Sequence, residues 1–287
     1  MKTTLFAVLY FVMLSTGVAQ HHTVKPGIGI ATDYHYDSLL FAQGYCCLVE
    51  SVQKILSPRI VSDDQFQVNA KVLKNLKTDL YAVNIFLPGD LKLVGPSVDE
   101  AAILSYAEIV FKRCQQLEIR LLVLGSGGAR RIPEGFDSKE ARRQFVSISQ
   151  KLALHAKRYN ITIALENLNS SETNFITTVK EALEIVKRVN QPNFKLCADI
   201  YHMLKENELP SAIEKAGAYL VHCDIAEKEG RTPPGTKGDD FRPYLSALRK
   251  VGYSGKIILE CRWENLPSQV MPAITSLQHQ LDEVYKP

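Results

Sequence analysis

The chain has 287 residues, with 34 lysines and arginines against 31 acidic residues and a formal charge of +3; this near balance excludes a nucleic-acid binder held mainly by charge. Apolar residues at 46% and charged residues at 23% exclude a disordered or collagen-like chain. The length suits one large α/β domain, since α/β barrels run to about 250 residues as a single unit.

The first residues differ from the rest. Met1-Lys2-Thr3-Thr4 is a short basic start, an apolar run follows from Leu5 to Leu14, and Ser15-Thr16-Gly17-Val18-Ala19 supplies small residues before a cut after Ala19. This is the layout of a secretory signal. The run is about half of the roughly 20 residues that span a bilayer, so residues 1–19 read as a cleaved signal. The expectation is an exported protein, periplasmic or secreted, with no stable membrane anchor after cleavage. Six cysteines are too few for a disulfide scaffold, and no pair has C-x-x-C spacing. Cys46, Cys47, Cys197, Cys223 and Cys261 lie in apolar strand-like runs, which predicts mostly free, buried thiols.

From residue 23 to 287 short β-rich runs alternate with longer stretches of 3.6 period. Strands are expected at 27–33, 46–51, 80–86, 119–125, 161–167, 194–199, 219–225 and 256–261. Helices are expected at 98–117, 139–158, 177–189, 209–216, 241–251 and 267–285. Most strand runs are continuously apolar, as in parallel strands covered on both faces. Eight such units in one chain read as a single-domain (β/α)8 TIM barrel. The alternative, a doubly wound open sheet, favours a Gly-rich fingerprint after its first strand. Here Gly27-Ile28-Gly29-Ile30 comes before the core of that strand instead.

Barrel active sites collect at the C-terminal ends of strands, so polar residues ending the apolar runs carry the information. Strand two ends in Glu50, strand five in Glu166-Asn167, strand six in Asp199, strand seven in His222-Cys223-Asp224 and strand eight in Glu260. Strands five to eight therefore each place an acid at the same end. Buried carboxylates repel one another and are costly to desolvate, so four convergent ones call for a counter-charge. One divalent cation, Mn²⁺ or Mg²⁺ first and Co²⁺ or Zn²⁺ next, suits such a shell. On strand seven His222 and Asp224 face the same way. Asp224, nearer the catalytic end, is the preferred ligand and His222 the alternative, or an orienting group one layer deeper.

Further residues suit a sugar. His202 follows Asp199 by three residues, Arg231 sits in the stiff Gly230-Arg231-Thr232-Pro233-Pro234-Gly235 loop, and Glu172 follows Glu166 by six. Arg and His donate to hydroxyl or enediolate oxygens. The Gly-rich loop 125–131 reads either as a phosphate cradle or as a tight turn near the site, and it lacks the ending of a nucleotide P-loop. Two Asn-x-Ser/Thr matches, at Asn160 and Asn169, read as chance.

The chain resembles the xylose-isomerase-like barrels of the sugar phosphate isomerase/epimerase group, which includes hydroxypyruvate isomerases and ketose 3-epimerases. The carriers are Leu165-Glu166-Asn167-Leu168-Asn169, Ala198-Asp199-Ile200-Tyr201-His202-Met203, the stretch from His222 to Gly235, Leu259-Glu260, Gly44-Tyr45, Ser57-Pro58 and the 125–131 loop. The resemblance implies one divalent metal on Glu166, Asp199, Glu260 and a fourth ligand. In hydroxypyruvate-isomerase-like members strand seven reads His-x-Gln or His-x-His. Registering on Arg231 puts Asp224 in that last place, a departure that adds negative charge. By the same resemblance His202, Arg231 and Glu172 contact substrate, and Glu166 and Glu260 act as base and acid on a ketose or small hydroxy-carbonyl compound through an enediolate.

Rival readings share the ligands: a polyol or inosose dehydratase-type lyase, or a non-catalytic sugar-binding barrel. The apurinic-site endonuclease branch does not fit. It needs extra His ligands where strands three and four run into Phe86-Leu87-Pro88-Gly89 and Gly125-Ser126-Gly127. The expected partner is a small sugar, with no nucleic acid and with homo-oligomerisation left open.

Overall fold

The computed structural model describes residues 24–286; the expected signal at 1–19 lies outside the described residues. Eight parallel strands close into a barrel in chain order. They are β1 (Ile28–Ala31), β2 (Cys47–Ser51), β3 (Asp79–Asn84), β4 (Leu121–Leu124), β5 (Thr162–Glu166), β6 (Phe194–Asp199), β7 (Leu220–Ile225) and β8 (Ile257–Leu259). β8 closes on β1 through Ile28↔Ile257 and Ile30↔Leu259. The single-domain TIM barrel expected from the sequence is what the chain forms.

Alternation along each strand separates two apolar layers. Cys47, Val49, Ala82, Leu121, Val123, Ala164, Cys197 and Ile258 fill the barrel interior. Their neighbours Leu48, Val83, Leu122, Ile163, Leu165, Leu196, Cys223, Ile257 and Leu259 face the helices. Both faces are dry, which is why the strand runs read as continuously apolar.

Two register shifts matter for the site. β2–β3 pairing passes from Leu48↔Leu80 to Val49↔Ala82, and β6–β7 pairing from Leu196↔Leu220 to Cys197↔His222. Each inserts one residue, and a one-residue insertion resets which side chains face inward. After the shifts Asn84 and Asp224 fall on the interior side at the barrel's C-terminal end.

Several boundaries differ from expectation. β3 stops at Asn84 because Ile85 adopts φ +51°, a left-handed conformation unfavourable for a β-branched residue. Gln53 holds that turn by donating from Nε2 to the Ile85 carbonyl at 3.0 Å. β8 spans only three residues, so Glu260 lies just beyond it. β2 starts at Cys47, which leaves Cys46 exposed rather than buried. The helix Asp63–Leu73 was not among the expected elements; it buries Phe66, Ala70 and Leu73 while Val68 and Val72 are exposed, so no clean apolar stripe marks it. All six cysteines are free. Among the described residues, no helix is long and apolar enough to cross a membrane.

Side-chain caps start the outer helices. Asp99 accepts from Ala102 N–H, Asp137 from Glu140 N–H and Thr178 from Glu181 N–H, each satisfying a donor that has no partner within its helix. Asp199 does the same for the short helix Ile200–Lys205, accepting from the His202 N–H at 3.1 Å through Oδ1.

Candidate cation and proton-transfer site

Steps of two along the strands lead from interior residues to the site: Ala164 to Glu166, Cys197 to Asp199, His222 to Asp224 and Ile258 to Glu260. The period-two geometry of a strand makes each pair share a face. One carboxylate oxygen from each of Glu166, Asp199, Asp224 and Glu260 lies within 4.8 Å of the others. The first three are almost completely buried, while the Glu260 side chain keeps 22% of its surface open. The structure therefore brings together the four acids singled out in the sequence, and it leaves Glu50 apart. Glu50 instead accepts from Tyr34 N–H and Ser51 N–H beside Lys54.

Glu260 and Asp224 are each held by defined partners. Asn84 Nδ2 donates to Glu260 Oε1 at 2.8 Å. Beneath Asp224, His222 Nε2 lies 3.0 Å from Oδ1 and Cys197 Sγ donates to Oδ2 at 3.1 Å. His222 thus lies one layer deeper, against Asp224. Cys197, His222 and Asp224 also form a compact possible ligand set, but the two hydrogen bonds already account for their closeness.

Glu166 is pressed from the side by Gly125. A Cβ built there would lie 2.2 Å from Glu166 Oε2, so any side chain at that position would push the carboxylate aside. The 125–131 loop makes a tight turn beside the site. It winds into one helical turn, Gly127–Arg130, and buries Arg130 completely. Arg130 Nη1 donates to the Glu166 carbonyl at 2.7 Å and Nη2 to the Ile176 carbonyl at 3.2 Å, pinning both ends of the loop that carries Asn169 and Glu172.

The predicted substrate contacts also converge. The Asn169 N–H donates to His202 Nδ1 at 3.0 Å, which leaves the proton of the neutral imidazole on Nε2. That Nε2 is buried without a hydrogen-bond partner. It faces Asp199 Oδ2 at 3.3 Å and Glu166 Oε1 at 3.7 Å. Arg231 reaches over the cluster. Its Nη2 pairs with Glu260 Oε2 and lies 3.4 Å from Asp199 Oδ2, while Nη1 is 3.6 Å from Glu172 Oε1. The guanidinium stacks over the Tyr201 ring at 4.7 Å.

The electrostatics follow from burial and like charge. Desolvation, reinforced by Glu260, Asp199 and Asp224, holds the Glu166 proton well above the ordinary carboxylate range. Burial pushes Asp199 up to about 7 and Glu260 up to about 8, with Asp224 raising both and Arg231 opposing. Asp224 moves the other way. Burial raises it, but the pull and hydrogen bond of His222, with the Cys197 hydrogen bond and Arg231, leave it below its usual value. Burial and Arg231 lower His202 to about 3, so its imidazole is neutral.

The residues fit a divalent cation. Four convergent carboxylate oxygens form a hard donor set; the His202 Nε2–H faces the same place as a hydrogen-bond donor, not as a ligand. Sequence reasoning missed Asn84, Cys197, Arg130, Asn169 and Tyr201 as supports. The signal for Asn84 was present, as the one polar residue inside the apolar run of strand three.

Residues 62–284 match the model of the xylose isomerase-like TIM barrel family, and the chain belongs to that family. An L-ribulose 3-epimerase of Methylomonas sp. (strain DH-1) is 34% identical over 145 residues, which cover 45% of this chain and 50% of that protein. A putative hydroxypyruvate isomerase of Streptomyces coelicolor is 32% identical over 142 residues, 47% of this chain and 51% of that one. The chain spans about half the length of these curated relatives. Among solved structures, D-psicose 3-epimerase with D-tagatose from Clostridium cellulolyticum H10 is similar at TM-score 0.72 and 22% identity, covering 90% of this chain and 95% of that one. The 3-keto-D-glucoside 4-epimerase of E. coli gives 0.72 at 18% identity, covering 89% and 99%. At these identities the structures speak for the fold.

A pH dependence follows. Glu166, Asp199 and Glu260 bind protons more tightly folded than unfolded, so their contribution to stability is complete below the unfolded carboxylate range. It is lost as pH rises through about 7 and about 8, the folded values of Asp199 and Glu260. Chelator-treated protein should therefore lose thermal stability as pH rises from about 5 to about 8, and added Mn²⁺ should flatten that loss. A level melting profile across this range without cation would contradict the electrostatic description.

Proposed function

We propose that the chain is a divalent-cation-dependent sugar isomerase or epimerase acting on a ketose or small hydroxy-carbonyl compound. The observation that carries the reading is the four-carboxylate cluster at the C-terminal end of the barrel, with three of its acids biased toward protonation. The family and the sugar epimerases and isomerases among its relatives support the same class. Mn²⁺ or Mg²⁺ is the proposed ion, held by Glu166, Asp199, Asp224 and Glu260, because every donor is a hard oxygen. An exported location, periplasmic or secreted, remains part of the proposal and rests on the sequence of residues 1–19.

A cation in the cluster would draw electron density from an adjacent carbonyl and so acidify the neighbouring C–H. Glu166 and Glu260, from β5 and from the end of β8, are the proton-transfer pair. One takes the proton from carbon while the other supplies one, and burial raises their proton affinities above those of free carboxylates. Removal from one face and return to the other inverts a centre. Return to the neighbouring carbon exchanges aldose and ketose. Neutral His202 presents Nε2–H to a substrate oxygen, and Arg231 donates without titrating. Glu172 sits beside Arg231 and bounds the mouth.

Glu166→Gln and Glu260→Gln should each slow the wash-in of solvent deuterium into a ketose by about 10²–10⁴-fold, with an unchanged circular dichroism spectrum. Full exchange in either variant would remove that residue from the pair. In the wild type, loss of water instead of exchange would point to a lyase, and neither outcome with tight sugar binding would point to a binding barrel. His202→Ala and Arg231→Ala should act mainly by raising KM; unchanged kinetics in both would place the substrate elsewhere. Gly125→Ala should displace Glu166 and weaken Mn²⁺ binding by about 10–100-fold, read by calorimetry. Wild-type affinity in that variant would show that Glu166 is not a ligand.

A further inference from the structure

We propose that Glu227, outside the cation-binding and substrate-contacting set, is the positioning residue that sets Arg231 over the site; this rests on the proposed role of Arg231. Glu227 lies two residues beyond β7 and is completely buried. A carboxylate there needs donors, and it has four. Oε1 accepts from the Gly235 N–H and the Gly238 N–H, both at 2.9 Å. Oε2 accepts from the Lys237 N–H at 2.5 Å and the Thr232 hydroxyl at 2.8 Å. The Glu227 N–H in turn donates to the Thr232 carbonyl at 2.9 Å. Residues 228–238 are thus wrapped around one side chain.

The wrapping fixes Arg231. Gly230 and Arg231 are successive left-handed residues at φ +70° and +56°, and an arginine holds that conformation only where its surroundings enforce it. The reversal turns the arginine back toward the barrel, where Nε donates to the Glu260 carbonyl at 3.0 Å. On the far side, the Arg231 carbonyl accepts from the Arg262 N–H at 2.8 Å. Gly235 seats the loop against the helix Leu266–Val284, where a Cβ would lie 2.9 Å from Ser276. Charge-assisted hydrogen bonds to a buried carboxylate are strong and directional, so Glu227 fixes the geometry of a loop that has no regular structure of its own.

Trp263, the only tryptophan in the chain, follows Arg262, whose N–H holds the Arg231 carbonyl, so its emission offers a readout of that anchor without any turnover assay. The test compares wild type, Glu227→Gln, Arg231→Gln and the double variant. In Glu227→Gln the amides of Gly235, Lys237 and Gly238 should exchange faster with solvent deuterium, and Trp263 emission should shift. KM for a turned-over ketose should rise about tenfold with a smaller change in kcat. The double variant should be no worse than Arg231→Gln. Independent effects of the two substitutions would overturn the proposal, as would unchanged Trp263 emission and amide exchange. If Glu227→Gln fails to fold, Thr232→Val removes one donor and is read in the same way. A wild type that turns over no ketose would overturn the reading of the site, and the loop measurements would still decide the role of Glu227.

Discussion

Mutual repulsion among four carboxylates in a dry barrel end is the constraint on which the rest of the site depends. Two unit charges about 4 Å apart repel by about 4 kcal/mol at an effective dielectric of about 20. Four acids within 4.8 Å of one another multiply that cost, and Arg231 alone cannot cancel it. The cluster must hold protons, hold a cation, or exchange one for the other. Its other features answer to that demand: Arg231 above, His222 and Cys197 below Asp224, and Asn84 on Glu260.

Strand geometry explains how the acids come to share one place. The alternating pleat sends every second residue inward, and a parallel barrel aligns the C-terminal ends of its strands. Uninterrupted alternation from the base of the barrel would not deliver every site residue. The register shifts before Ala82 and His222 correct the phase, turning Asn84 and Asp224 inward. The irregularities of the sheet thus serve the site, a placement common to bulges near active centres.

Much of this was readable in the amino-acid order because strand ends are marked by chemistry. Glu166, Asp199 and Asp224 each lie toward the C-terminal end of an apolar run, and its place nearer that end ranked Asp224 above His222, which the period of two puts on the same face. Other parts left no such mark. Asn84 stood out only as a polar residue inside its run and not as a strand end, because the apolar run continues through Ile85 and Phe86, and the left-handed turn at Ile85 is what ends the strand. Arg130 looked like part of a glycine-rich loop, although its burial depends on carbonyls 36 and 46 residues away. Glu227 looked like one loop acid among several. Its donors become visible only once Gly235, Lys237 and Gly238 fold back, and long-range closure of that kind has no local signature.

Asp224 is where the chain departs from the His-x-Gln or His-x-His pattern that its resemblance to hydroxypyruvate-isomerase-like barrels implies for strand seven. An added negative charge should have made the cluster harder to form. The deeper layer of the barrel meets it: His222 engages one oxygen and Cys197 the other, and Asp224 keeps a depressed proton affinity while its three neighbours are raised. The four acids are therefore unequal. Asp224 is the one held anionic, suited to anchoring a cation and not to carrying protons. Glu166 and Glu260 sit where burial and repulsion favour the protonated form. Environments that push like groups apart in proton affinity are how one site assigns them separate tasks, and here the extra carboxylate sharpens that division by raising the proton affinity of the pair around it.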